Sequence, residues 1–209
     1  MFTLYGNPGA ANMAPHVMLI EAKAQHEIVM IDFDKREQFD AAYLRINPHA
    51  RVPTLIENGR AMYESAAITI YLGERFPETK LVPAIGAPAR AAFLQWMAYL
   101  TNTVQEAHMH YWHPDNYVDS DTARQEMMGV AERRLGAMWN HIDGVLAQSG
   151  PYLTGAACTA ADIYLTMLTR WSRKLTNPAT TRPQLRRLVD LVKARPAYQA
   201  MLKAEGIEQ

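Results

Sequence analysis

Two stretches of the sequence carry polar side chains where a helix is about to begin, and both could bind an anion. The first, "NPGAAN", ends in Asn12, and the second, "ESAAI", begins with Glu64 and Ser65. The first N–H groups of a helix have no partner within it, so they attract a carboxylate or a thiolate. Asn12 could donate to a thiolate, Ser65 could bind a carboxylate, and Glu64 could hold an ammonium group. No nucleophilic side chain stands at the first stretch, so we expect the nucleophile to arrive with a cofactor.

Each of these residues also has a purely structural interpretation. Asn12 and Ser65 are both common helix caps. Tyr5, which ends the first apolar strand, could donate its hydroxyl to a sulfur or could simply face the core. The residues by themselves leave these alternatives open.

The composition limits the classes of protein to consider. Lys and Arg together number 21, as do Asp and Glu, so the net charge is zero and we expect no nucleic-acid partner. The single cysteine, Cys158, excludes an internal disulfide, a C-x-x-C redox pair and a cysteine zinc site. The first strand starts at Met1 or Phe2, and no apolar run reaches membrane-spanning length. We therefore expect a cytoplasmic protein without a signal peptide or a membrane partner.

Residues 1–76 alternate short strands and helices. Their order, β-α-β-α-β-β-α, predicts a small mixed sheet covered by helices. The pair Asn58-Gly59 predicts a hairpin between the last two strands. Strands are expected over 2–5, 26–33, 52–57 and 61–63, and helices over 14–25, 37–47 and 65–76.

The chain changes character after residue 76. Prolines and a glycine in "PETKLVPAIGAP" predict a linker over 77–87. The remainder, 88–209, has helical patterns only, with helices expected over 88–112, 121–148, 159–174, 182–194 and 196–204.

The stretch "TAADIYL" has the pattern of a capping box, in which Thr159 and Asp162 satisfy the first donors of a helix. We expect a structural role for this pair and no chemistry. Cys158, directly before it, is expected to pack as an inert small apolar residue.

The whole chain resembles the cytosolic glutathione transferase family, and the bacterial beta-like or related members most closely. The resemblance is carried by "PGA" with His16 after the first strand, by "RVPTL" and "ESAAI", and by "YLTG" followed by "TAADIYL". It implies a thioredoxin-like α/β domain over 1–76, an all-α C-terminal domain over 88–209, a homodimer, and glutathione as co-substrate.

The resemblance also implies which residues bind glutathione. A cis bond before Pro53 would leave the backbone of Val52 free to pair with the cysteinyl part of the tripeptide. Glu64 and Ser65 would hold its γ-glutamyl end, and Lys35 would lie near its glycyl carboxylate. The alternatives are a trans proline that begins an edge strand and a lysine that is only solvated.

The residue that activates the thiol departs from the family's pattern. Aligned on "PGA", the position of the catalytic cysteine is Ala11, so we expect no mixed disulfide with the protein. The candidates for stabilising a glutathione thiolate are Asn12, Tyr5 and the first amides of the helix.

The segment "HMHYWH" invites a metal-site interpretation that its spacing does not support. Only His110 and His113 share a helix face, and no acidic residue completes a site with that pair, so no metal is expected. In the family, this part of the helix overhangs the thiol. That makes four residues candidates for the wall of a second-substrate pocket: His108, Met109, Tyr111 and Trp112. Packing between helices is the alternative for each.

The sequence thus predicts a glutathione transferase that binds glutathione, stabilises its thiolate and transfers it to an electrophilic apolar substrate. One alternative is a glutathione-dependent reductase of disulfides or peroxides, and another is a non-catalytic glutathione-binding protein. The second substrate and the exact subclass do not follow from the sequence, because apolar pocket walls carry little information about identity.

Overall fold

The computed structural model describes residues 1–207, and its elements follow the predicted order. The amino-terminal elements are β1 Phe2–Gly6, α1 Met13–Glu21, β2 His26–Met30, α2 Ala41–Leu44, β3 Thr54–Glu57, β4 Arg60–Tyr63 and α3 Ser65–Arg75. The later elements are the helices α4 Arg90–Tyr99, α5 Glu106–Trp112, α6 Asp121–Ser149, α7 Ala160–Trp171, α8 Pro183–Lys193 and α9 Pro196–Ala204. The predicted thioredoxin-like domain followed by helices is confirmed.

The strands form one mixed sheet in the order β2-β1-β3-β4. β1 runs parallel to β2 and antiparallel to β3, and β3 pairs with β4 through the predicted Asn58-Gly59 hairpin. Side chains alternate along β1: Phe2, Leu4 and Gly6 are buried on one face, and Tyr5 lies half-buried on the other. Tyr5 and Gly6 therefore lie on opposite faces of the sheet.

Helix α1 is buried along most of its length. Every residue from Met13 to Leu19 is buried, and the helix packs against both α3 and α9. A helix that is apolar on all sides needs cover on all sides. The end of the chain provides part of that cover for α1.

The chain divides into two compact units. Unit 1 contains Met1–Ala84 together with the chain from Lys193 onward, and unit 2 contains Ile85–Val192. The first division falls inside the expected linker. The second falls at the end of α8, and α9 packs against α1. The sequence pattern of α9 predicts a helix, but it does not predict which other helix α9 packs against.

The helix expected over 88–112 is interrupted in unit 2. Between α4 and α5, residues Leu100–Gln105 form a π-helical turn. The Thr101 hydroxyl donates to the carbonyls of Met97 (2.9 Å) and Ala98 (3.2 Å), and such back-bonding distorts a helix locally.

The capping box at α7 is confirmed. Asp162 is fully buried and accepts from the Thr159 N–H at 2.7 Å, the Thr159 hydroxyl at 2.9 Å and the Leu153 N–H at 2.8 Å. Burial raises the pKa of Asp162 to about 6, and these donors oppose the rise. Cys158 is half-buried, as a small packed residue would be.

Across residues 1–207, no helix combines the length and the apolar character that crossing a membrane requires.

Candidate functional site

The Asn12 side chain ties together the β1–α1 turn, which comprises Asn7–Asn12. Its Oδ1 accepts from the Asn7 N–H at 3.0 Å, and its Nδ2 donates to Glu205 at 2.9 Å. The side chain is fully buried and makes no helix-cap bond. The capping alternative for Asn12 is wrong, because its side chain makes no cap bond. Both polar atoms of the side chain are bonded within the fold, and its role toward a thiolate stays a prediction.

Gly6 makes room for this side chain. A Cβ added at Gly6 would lie 2.5 Å from Asn12 Cγ. Gly6 is buried on the same face of β1 as Leu4, so Asn12 fills the space that a side chain there would occupy. Asn12 therefore belongs to the packed face of the sheet.

Tyr5 lies on the opposite face of the sheet. Its ring packs against that of Tyr43 with centroids 5.6 Å apart, and its half-buried side chain follows the alternation along β1. Asn12 and Tyr5, the two predicted catalytic side chains, are thus on different faces and do not converge on one point.

The open donors of the β1–α1 turn belong to the main chain. The N–H groups of Ala10 and Met13 are bonded to carbonyls within the turn, at 3.0 and 3.2 Å. Among residues 1–207, the N–H groups of Ala11 and Asn12 have no acceptor. Unbonded amides at a helix start are donors of the kind that bind anions; Ala11 is 7% exposed and Asn12 is fully buried.

Sequence reasoning missed Glu205, which lies directly after α9. Its carboxylate is buried and accepts from Asn12, from His16 at 2.8 Å and from the Gly9 N–H at 3.3 Å. No spacing signal could have found it, because 193 positions separate it from Asn12.

The predicted cis bond before Pro53 is present. Within the described chain, the N–H and C=O of Val52 have no hydrogen-bond partner. Thr54 pairs with Tyr63 across the β3–β4 hairpin. Val52 precedes this pair by two residues and Ser65 follows it by two, so both stand at the same end of the hairpin.

Glu64 and Ser65 stand at the start of α3. Glu64 is exposed, with φ +74°, and its carboxylate has no hydrogen bond or ion pair among the described residues. The first backbone bond of the helix runs from Ile68 N–H to the Glu64 carbonyl at 2.9 Å, which leaves the preceding N–H groups open.

Ser65 is buried, and its hydroxyl donates to the Ala11 carbonyl at 2.5 Å. Ser65 is the first residue of α3 and makes no cap bond, so the capping alternative is wrong. Its hydroxyl instead joins the start of α3 to the β1–α1 turn.

Lys35, the residue predicted to lie near the glycyl carboxylate, is exposed. Its side chain is 73% exposed and its ammonium lies 2.9 Å from the Asp32 carboxylate. Hydrogen bonding to Lys35 holds the pKa of Asp32 below its usual value. A carboxylate ligand at Lys35 would have to share the ammonium with Asp32.

The structure corrects the prediction for His108, a suggested pocket residue. It is fully buried in unit 2, with ring centroids 5.8 Å from both Trp139 and Trp171. Neither of its ring nitrogens makes a hydrogen bond of normal geometry among residues 1–207. Burial lowers the pKa of His108 to about 3, and the Leu168 backbone offsets only part of this effect.

The other pocket candidates, Met109, Tyr111 and Trp112, are half-buried. The rings of Tyr111 and Trp112 meet edge to face at 5.3 Å. Trp112 Nε1 donates to the Trp171 carbonyl at 3.2 Å, and the Lys174 ammonium lies 5.6 Å from its ring centre. These residues form a partly open aromatic surface on unit 2.

Among residues 1–207, no three His, Cys, Asp or Glu side chains are grouped as metal ligands. His110 lies 3.4 Å from the Glu106 carboxylate one turn earlier and packs on Tyr117, with ring centroids 4.5 Å apart.

Comparison with known proteins agrees with this fold. The family model "Glutathione S-transferase, N-terminal domain" matches residues 1–74, and "Glutathione S-transferase, C-terminal domain" matches residues 105–205. Glutathione S-transferase GST-4.5 of Xanthomonas campestris pv. campestris is 28% identical over 98% of each chain. Disulfide-bond oxidoreductase YfcG of Escherichia coli K12 is 26% identical over 98% of this chain and 96% of that protein. A sphingomonad glutathione S-transferase, solved in complex with glutathione, is 30% identical, with a TM-score of 0.85 over 99% of this chain and 100% of the other.

Proposed function

The chain belongs to the glutathione S-transferase family, and from that premise we propose that it binds glutathione in unit 1 and activates its thiol. One observation carries the proposal. At one end of the β3–β4 hairpin, the unpaired backbone of Val52 precedes β3, and the exposed Glu64 carboxylate and open N–H groups begin α3 after β4.

This arrangement suits the two ends of a γ-glutamyl-cysteinyl unit. The α-carboxylate of the ligand accepts from the open N–H groups of the first turn of α3, beginning with that of Ser65. Its ammonium pairs with Glu64, and its cysteinyl backbone pairs with Val52 as an added strand does. Lys35 holds the glycyl carboxylate, in competition with Asp32.

The thiolate is held by main-chain donors. The Ala11 N–H has no acceptor in the fold, and Ala11 keeps a small exposed fraction, whereas Asn12 is fully buried and its side-chain amide is bonded inside the fold. Helix N-termini lower the pKa of cysteine thiols, and the same effect acts on a bound thiol. Tyr5→Phe therefore leaves the ionisation of bound glutathione unchanged. A loss of thiolate in that variant would instead identify Tyr5 as the donor.

The reaction we propose is conjugation: the thiolate attacks an electrophilic carbon of an apolar substrate and expels its leaving group. Met109, Tyr111 and Trp112 supply the apolar contact surface. We place the enzyme in the cytoplasm, as a homodimer.

Glu64→Gln tests the site. Loss of the charge that faces the ligand's ammonium weakens glutathione binding by about 1–3 kcal/mol, measured by titration calorimetry. Glu78→Gln is the matched control, because it removes an exposed charge from the same unit beyond the opposite end of α3 and leaves the affinity unchanged. Equal affinities in wild type and Glu64→Gln would contradict the proposed site.

A second candidate function is reduction of a disulfide or peroxide by glutathione. It is favoured by the alanine at the cysteine position, Ala11, and by the 26% identity to an enzyme named a disulfide-bond oxidoreductase. Assays with a chloronitrobenzene electrophile and with hydroxyethyl disulfide separate the two reactions. Activity in neither, with glutathione binding intact, would indicate a non-catalytic binding protein.

A further inference from the structure

Three donors from the beginning of the chain converge on one buried carboxylate near its end. Glu205 Oε1 accepts from Asn12 Nδ2 at 2.9 Å and from His16 Nδ1 at 2.8 Å, and Oε2 accepts from the Gly9 N–H at 3.3 Å. The Glu205 side chain has no solvent exposure and that of His16 has 2%. A carboxylate buried to this degree requires such donors to replace water.

These bonds decide which donors of the β1–α1 turn stay open. Glu205 occupies the N–H of Gly9 and holds the amide of Asn12, whose oxygen in turn holds the Asn7 N–H. What remains is the adjacent pair of main-chain N–H groups at Ala11 and Asn12. The last helix thus sets the position of the first helix's open amides.

We propose that Glu205 is a positioning residue for thiol activation. Through Asn12, His16 and Gly9 it holds the β1–α1 turn so that the unbonded amide of Ala11 meets the sulfur of bound glutathione. This inference rests on the proposed function. It states that the geometry of the β1–α1 turn depends on Glu205, a residue that does not itself contact glutathione.

The direction in which the pKa of the bound thiol shifts can test the inference, because the charge of Glu205 and its positioning role act in opposite directions. A carboxylate only accepts, so His16 Nδ1 carries the hydrogen of their bond. The His16 ring packs on His26 at 5.4 Å, and α9 meets α1 again through Arg195 and Glu21 at 2.7 Å. The negative charge of Glu205 alone would oppose a nearby thiolate. Removing that charge should therefore favour the thiolate, whereas loosening the turn should disfavour it.

The experiment compares wild type with Glu205→Gln at saturating glutathione. Glutamine keeps the shape but turns an NH₂ group toward donors, so at least one of the three bonds is lost. Thiolate absorbance is titrated against pH. We expect the pKa of the bound thiol to rise by about one unit, a tenfold loss of thiolate at a pH well below that pKa.

Arg195→Gln is the matched control. It breaks the other ion pair between α1 and α9, at the far end of α1 from the turn. We expect it to lower the melting temperature without moving the thiol pKa. If Glu205→Gln folds poorly, Glu205→Asp keeps the charge but cannot span all the contacts, and a raised thiol pKa is expected there too.

A further comparison uses Asn12→Ala alone and in combination with Glu205→Gln. If Glu205 acts in part through Asn12, the shift of the thiol pKa in the double variant is smaller than the sum of the two single shifts. An unchanged or lowered pKa in Glu205→Gln would overturn the positioning role, and so would additive shifts in the double variant. Failure of the wild-type protein to bind glutathione would overturn the proposed function itself.

Discussion

The two units differ in how their buried polar side chains are hydrogen-bonded. Around the β1–α1 turn of unit 1, Asn12 and Glu205 are buried and bonded to each other and to their neighbours. In unit 2, Asp162 is satisfied by local donors, but the equally buried His108 has no partner of normal geometry among residues 1–207. A connected network fixes the position of a loop, whereas an isolated buried base only makes the fold sensitive to acid.

The largest expected effect is on the capping box. Asp162→Ala leaves the N–H groups of Leu153 and Thr159 and the Thr159 hydroxyl buried without an acceptor. We expect the free energy of unfolding to fall by about 4 kcal/mol, measured by urea denaturation. Asp121→Ala, which removes an exposed carboxylate, is the control. Folded Asp162→Ala protein should still bind glutathione, and a large affinity loss would contradict a structural role.

His108 should produce acid sensitivity. Its pKa of about 3 in the folded state lies below the ordinary 6.5, so the unfolded chain takes up a proton first as the pH falls. The stability is fully present above pH 6.5 and is lost progressively toward pH 3. At pH 5 the loss is about 2 kcal/mol.

His108→Phe keeps a ring between the two tryptophans and should remove this pH dependence, measured by denaturation from pH 7 to 5. Asp162 acts with the opposite sign, because a raised pKa favours the folded state as pH falls from 6 toward 4. An identical slope in His108→Phe and wild type would show that His108 is not the cause.

The smallest effect concerns the link between the β1–α1 turn and α3. Ser65→Ala removes the hydroxyl bond to the Ala11 carbonyl, and we expect about 1 kcal/mol to be lost from both stability and glutathione affinity. Calorimetry with glutathione and thermal unfolding measure the two. A loss of stability with unchanged affinity would limit Ser65 to the fold.

Local signals accounted for most of the fold. The Asn58-Gly59 hairpin, the Thr159–Asp162 capping box and the alternation of strands and helices each depend on residues a few positions apart, and each was predicted. The π-helical turn at Leu100–Gln105 was missed, because a single back-bonding threonine is common in helices that stay regular.

The site was predicted less completely. Val52 precedes a cis bond to Pro53 just before β3, and Glu64 and Ser65 stand at the start of α3; their contacts with glutathione stay predictions. Asn12 and His108 did not behave as expected, since a polar side chain gives no sign in the sequence of whether its partner is a ligand, a distant residue or none at all.

The sequence by itself determined the order of elements, the turn chemistry and the family, because these follow from residue types at short spacings. Only the tertiary structure decided which open donors remain at the start of α1. That outcome depends on Glu205, which is 193 positions from Asn12 in the sequence and contacts it only in the folded chain. A buried carboxylate accepts hydrogen bonds from the donors that packing brings next to it. Contacts of this kind arise from packing and leave no periodic pattern in the chain.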